Sequence, residues 1–134
     1  MNEHGFIKKI HKMLPPRLYK WKINDPYHGG IPDAYYAGPH GFCFVEYKYI
    51  AELPKRGTTK LNFGLTTQQK IWLLTQHRFR VPVYVVLGAE DQVMFTQDFE
   101  NANAFTVDQF LEHSVAVEDY VLKLVNICLG EQNE

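Results

Sequence analysis

The chain is poor in cysteine, in long apolar runs and, over its second half, in basic residues, and each shortage narrows what it can be. Two cysteines, Cys43 and Cys128, occur among 134 residues. Both lie in apolar runs, so they read as buried free thiols of a reducing compartment and imply no disulfide framework. No apolar run approaches the ~20 residues of a membrane-spanning helix. The N-terminus, with Glu3, His4 and then lysines, lacks the apolar core of a signal peptide. These absences predict a cytoplasmic protein with no membrane partner. The six histidines show no metal-ligand spacing. No repeat, low-complexity segment, zinc module or recognition helix is present, which leaves sequence-specific DNA reading without a vehicle.

What is present is the material of a core. A 46% hydrophobic and 14% aromatic content suits one globular domain over residues 1–134. The net charge of −1 conceals a split. Up to Leu87 there are thirteen lysines and arginines against five acids; from Gly88 onward Lys123 stands alone against ten acids. A basic first half suggests a polyanionic partner, unless the charges are simply solvated ones of mixed sign.

Along the chain, Asn2 is placed to cap a helix that runs to about Leu14 and stops at Pro15-Pro16. Phe6, Ile7, Ile10, Met13 and Leu14 fall on one stripe, and Glu3 shares it. Either Glu3 complements the helix dipole or it points at a charged site at the sheet edge. Arg17–Ile23 alternates like a strand. Ala34–Ala37 and Phe42–Val45 are apolar runs around Gly38-Pro39-His40-Gly41, the pattern of two strands and a tight turn. Residues 51–64, with Lys55, Arg56 and Lys60, lack periodicity and read as a flexible basic loop able to grip a phosphate backbone. Thr66 and Gln69 form a capping box for a helix to Phe79, with Gln69, Trp72, Leu73 and Gln76 on one face. Trp72 there reads as core rather than as a stacking platform. Val81–Leu87 has the unbroken apolar character of a buried central strand, and Gln92–Thr96 of a short one. Two helices, Thr106–His113 and Val117–Leu129, close an α-β-β-β-α-β-β-α-α order, an α/β or α+β sheet with helical cover.

The chemistry concentrates in the hairpin. Glu46 and Lys48, two apart on a strand, share a face, and Asp33 at the start of the adjoining strand lies beside Glu46. Two carboxylates and a lysine in a sheet are costly unless they pair, bind a metal or do chemistry. Converging carboxylates, with the Tyr47 carbonyl between them, make a hard-oxygen site for Mg²⁺ or Mn²⁺. A lysine beside such a metal can position a water or offset charge on a phosphate, as phosphodiester hydrolysis needs. The plain alternative is a structural Glu46–Lys48 ion pair with Asp33 capping a turn after Pro32.

Gly30-Ile31-Pro32-Asp33, then Glu46-x-Lys48 thirteen positions on, then Leu65-Thr66-x-x-Gln69-x-x-Trp72, resemble the PD-(D/E)XK nuclease superfamily. Within it, the small VRR-NUC and Holliday-junction-resolvase-like branch of phages and bacteria is most similar. The resemblance covers about Asn2 to Leu87. It implies the restriction-endonuclease-like αβββαβ core over about residues 2–97, with a C-terminal helical extension at about 104–130. By the same likeness Asp33 and Glu46, with Tyr47, hold Mg²⁺, Lys48 is the catalytic lysine, Glu3 supports the metal, and Gln69 takes the place of the helix glutamine. Lys22 and His28 become phosphate contacts, although a solvated loop histidine is the plainer reading of His28. The implied function is a Mg²⁺-dependent DNA endonuclease of a bacterial or phage-infected cell, acting through metal-activated water. The resolvases it resembles pair two sites, so a homodimer is an open alternative. A non-catalytic nucleic-acid- or protein-binding module, or a ribonuclease or exonuclease on the same fold, are the rivals.

Overall fold

The computed structural model describes residues 1–25 and 27–130. Helix α1 (Glu3–Met13) is followed by strands β1 (Tyr19–Lys22), β2 (Ala34–Ala37) and β3 (Phe42–Ile50), helix α2 (Thr67–Arg78), strands β4 (Val83–Ala89) and β5 (Gln92–Thr96), helix α3 (Val107–His113), a two-residue strand β6 (Val115–Ala116) and helix α4 (Val117–Leu129). The strands form one six-stranded sheet in the order β1-β2-β3-β4-β5-β6. Every neighbouring pair is antiparallel except β3 and β4, which are parallel. A parallel pair needs a crossover, and α2 supplies it.

Local chemistry sets the ends. The Asn2 side chain accepts from the Gly5 amide at 2.9 Å and starts α1, and Pro15 and Pro16 cannot continue it. Thr66 with Gln69, and Thr106 with Gln109, make reciprocal capping boxes for α2 and α3. Helix α4 ends at Gly130, whose φ of 84° suits a residue without Cβ.

Alternation along β3 divides the molecule into two cores. Cys43, Val45 and Tyr47 join Phe6, Ile7 and Ile10 of α1 and Tyr120, Leu124 and Cys128 of α4. Phe44 and Ile50 join Leu73 of α2, Val83, Val85 and Leu87 of β4, and Phe110 of α3 on the opposite face. The C-terminal helices are thus built into the same two cores as the αβββαβ segment. Both thiols are free and buried, and they meet across the β3–α4 contact. Among the described residues no helix is long and apolar enough to cross a membrane.

Several expectations change. Met13 leaves the inward stripe and is exposed. Strand β4 starts after Pro82, which lacks an N–H for the ladder but accepts from the Phe44 amide at 2.9 Å. Residues 51–64 are pinned, not loose: the Val107 and Asp108 amides donate to the Thr59 and Gly57 carbonyls at 3.0 and 2.9 Å, and Leu61 donates to Phe105 at 2.8 Å.

Candidate active site at the open end of the hairpin

Strand β2 ends at Ala34, opposite Val45, while β3 runs on to Ile50. The register places Asp33 next to Glu46 as the two strands part. Two hydrogen bonds fix Asp33 there. Its carbonyl accepts from the Ile23 amide at 2.8 Å. Its Oδ2 accepts from the Tyr47 amide at 2.8 Å, so the side chain substitutes for the ladder bond that β2 no longer provides. Upstream, Gly30 adopts φ +84° against the backbone of Gln68 in α2, where a Cβ would stand 2.8 Å from the Gln68 carbonyl oxygen. The Gly29-Gly30 step therefore lets the Pro32-Asp33 segment lie directly on α2. A strand residue's N–H and C=O project to the same edge, so the Tyr47 carbonyl faces the Asp33 side as well.

Glu46 is 2% exposed and is the one buried charged residue among those described. Lys48 Nζ lies 3.5 Å from its Oε2, and Gln69 Nε2 donates to that same oxygen at 2.9 Å. Gln69 does two things at once: its Oε1 accepts from the Thr66 amide at 2.9 Å, closing the capping box, while its amide nitrogen reaches Glu46. Closing the cap does not keep Gln69 from Glu46: one side-chain amide makes both contacts. Burial, the neighbouring Asp33 charge and, more weakly, Glu3 push the Glu46 carboxyl up to about 8 against the opposing pull of Lys48. Glu3 is half-buried in the first turn of α1, and burial and Asp33 raise its carboxyl while Lys48 and Lys22 lower it. Glu3 thus lies within electrostatic reach of the same cluster.

The remaining residues are not gathered there. His28 is tied to Asp25, Nδ1 to Oδ2 at 2.8 Å. Lys22 ends the exposed edge strand beside Ala34. Lys55, Arg56 and Lys60 ride on the loop held by α3, which packs on β5, two strands from β3. Trp72 is half-buried and packs against the α2-side core, as expected, with one edge left open; Leu73 is the fully buried residue of α2.

No protein-family model matches the chain, and no curated protein matches it either. Solved structures do. Hjc, a Holliday junction resolvase from the archaeal hyperthermophile Archaeoglobus fulgidus, superposes with a TM-score of 0.53 at 15% sequence identity, over 91% of this chain and 97% of that one. The chain shares its fold with that resolvase. At this identity the likeness speaks for architecture, and it extends over 91% of the chain. The resolvase-like fold and the Asp33–Glu46–Lys48 cluster are therefore independent observations.

Sequence reading passed over two features of this region. A row of aromatic rings runs from β1 to α2 beside Glu46, and a chain of tyrosine hydroxyls lies behind it on the other face of β3. Alternation in Tyr19-Lys20-Trp21-Lys22 was the available signal for the first; the second depends on long-range register and left none.

Proposed function

We propose that the chain is a metal-dependent endonuclease that hydrolyses DNA phosphodiester bonds at the Asp33–Glu46–Lys48 cluster. The carrying observation is Glu46: a buried carboxylate held beside a second carboxylate and a lysine at the open end of a resolvase-like sheet. Such a group is poorly placed for stability alone and well placed to take up positive charge.

Among the described residues no three His, Cys, Asp or Glu side chains converge on one point as a metal site. The fit therefore rests on two carboxylates and a backbone carbonyl. That set suits Mg²⁺, or Mn²⁺ in its place, because Mg²⁺ keeps most of its waters and takes one or two carboxylates plus substrate phosphate. Asp33 and Glu46 would hold it, with the Tyr47 carbonyl, and Glu3 would bear on its waters. When bound, the cation supplies Lewis acidity and lowers the pKa of water. The chain's own residues do the rest. Glu46, whose environment favours the protonated form at neutral pH, would pass that proton to solvent on taking up the cation. Lys48, released from its 3.5 Å contact with Glu46, offsets charge developing on the phosphate and orients the attacking water. Gln69 keeps the Glu46 carboxylate from rotating.

The test is cleavage of plasmid, single-stranded and branched DNA with Mg²⁺ or Mn²⁺. Asp33→Asn and Lys48→Ala should each lower the rate on the order of a thousandfold. Wild-type rates in both variants would refute the reading. The lack of a three-carboxylate cluster favours one rival, a binding module that no longer cleaves. Calorimetric titration with Mn²⁺ separates the two: no heat dependent on Glu46 would favour binding alone.

A further inference from the structure

The same face of the sheet that carries Glu46 and Lys48 continues into an uncovered aromatic row. Across β1, β2 and β3 the register aligns Trp21 with Tyr35 and Tyr35 with Phe44, and Tyr19 and Phe42 flank Ala37. Tyr35 is the hub, its ring centroid 6.2 Å from Tyr19, 6.3 Å from Trp21, 6.0 Å from Phe42 and 5.0 Å from Phe44. Trp72 from α2 stands edge-on to Phe44 at 5.7 Å. Tyr19 is 58% exposed, Trp21 49% and Phe42 40%. Trp21, Lys22, Tyr27, Ile31, Phe44 and Trp72 line a concavity of about 600 Å³.

Position ties the row to the site. Phe44 precedes Glu46 by two residues on one face of β3, so about 7 Å separates ring from carboxylate along the strand. A chain whose phosphodiester sits at Asp33 and Glu46 lays its adjacent nucleotides over Phe44, Trp72 and Trp21. We propose that this groove stacks unpaired nucleotide bases beside the scissile phosphate, so that the substrate is single-stranded, or carries a single-stranded segment at the cut. This rests on the site assignment made above and adds the substrate class to it.

The chemistry of the lining argues for bases. Four of the nine lining residues carry rings, Trp21, Tyr27, Phe44 and Trp72, and every base offers a π-face to a ring whatever its sequence. Lysines alternate with the rings along the edge strand, Lys20 and Lys22 turning toward α1 on the other face, so positive charge stands at the sheet edge beside the groove, within reach of a backbone that crosses it. Paired bases already stack on one another inside a duplex and cannot offer those faces. A second copy of this chain, the other natural occupant of exposed rings, would need about 800 Å² of matching surface, whereas this feature is a concavity whose lining includes the polar Asn24 and Asp25.

Both tryptophans of the chain line this groove, so intrinsic fluorescence reports on it. The full chain in EDTA is titrated with an oligothymidylate and with a duplex of equal length. Quenching and tighter binding of the single strand are expected, with Trp21→Ala weakening it about tenfold or more and Trp21→Phe restoring most of the loss. Equal single-strand binding by Trp21→Ala and wild type would overturn the proposal. So would sedimentation of a dimer that Trp21→Ala dissociates, since a second copy would then own the face. Asp33→Asn keeps the failures distinguishable: it should still bind the oligothymidylate, and normal cleavage by it would sink the site assignment without touching the groove.

Discussion

The two faces of β3 treat buried polar groups in opposite ways. Toward α1 and α4, Tyr47 stands in a chain of side chains drawn from four elements: His11 Nε2 to the Tyr36 hydroxyl at 2.7 Å, Tyr36 to Tyr47 at 2.8 Å, and Tyr47 to Tyr120 at 2.6 Å. Each hydroxyl has a partner, and burial holds all three tyrosines neutral, well above their ordinary pKa. Toward α2, one residue away, Glu46 is buried beside another acid and is raised for that reason. The first arrangement is complete without a ligand, and it specifies how α1 and α4 seat on the sheet. The second leaves a conflict of like charges that a cation would resolve. A polar group that its own fold satisfies points to structure; one that its own fold opposes points to function.

Glu46→Gln should break this contrast most. Cleavage should fall on the order of a thousandfold, yet the metal-free protein should gain stability at neutral and alkaline pH. The sign follows from the carboxyl's rise from 4.5 to about 8 on folding. Glu46 supports the fold fully below pH 4.5, and that support drains away as pH climbs to about 8. Urea unfolding in EDTA should show a wild-type slope approaching about 1.4 kcal/mol lost per pH unit inside this window, and Glu46→Gln should flatten it. Parallel curves for the two proteins would show that Glu46 is not under electrostatic pressure.

Tyr47→Phe should have the intermediate effect, and of a different kind. It removes the shared partner of the Tyr36 and Tyr120 hydroxyls, so it should cost about 1–3 kcal/mol of stability. Its ring still fills the T-shaped contacts with Phe6 and Tyr120, and cleavage should stay within a few-fold of wild type. A large loss of rate with stability intact would move Tyr47's side chain from the structural face to the chemical one.

What the sequence made legible was local. The Asp33 hairpin, the Glu46-x-Lys48 alternation and the Thr66–Gln69 box each lie within a short span, where periodicity and turn chemistry act directly. Helix α1 and the αβββαβ order were legible for the same reason. Strand β6, two residues long, is too short to carry a period. The pinning of residues 51–64 on α3, and the tyrosine chain whose last link joins positions 73 apart, depend on register that composition does not encode. Trp72 and the exposed rings of β1 were visible, but which face lay open depended on where α2 stopped covering the sheet.

The smallest effect should come from His11, at the solvent end of the tyrosine chain. Its ring is half-buried against Tyr36, and burial, then the charges of Lys20 and Lys22 from β1, lower its pKa from 6.5 to about 4. His4 and Lys8 of its own helix line the same recess, with Lys22. The sign is opposite to that of Glu46. His11's support for the fold is complete above pH 6.5 and is lost as pH falls toward 4. Wild-type slopes from the two groups therefore oppose each other between pH 4.5 and 6.5, and the comparison must be made with Glu46→Gln as the reference. In that background His11→Gln, which keeps a polar partner for Tyr36 but cannot titrate, should reduce the acid-side loss of Tm. The reduction should be modest, because water screens a half-exposed ring. If both proteins lose Tm equally between pH 6.5 and 4, burial and the β1 lysines do not hold His11 neutral, and the contrast between the two faces of β3 rests on Glu46 alone.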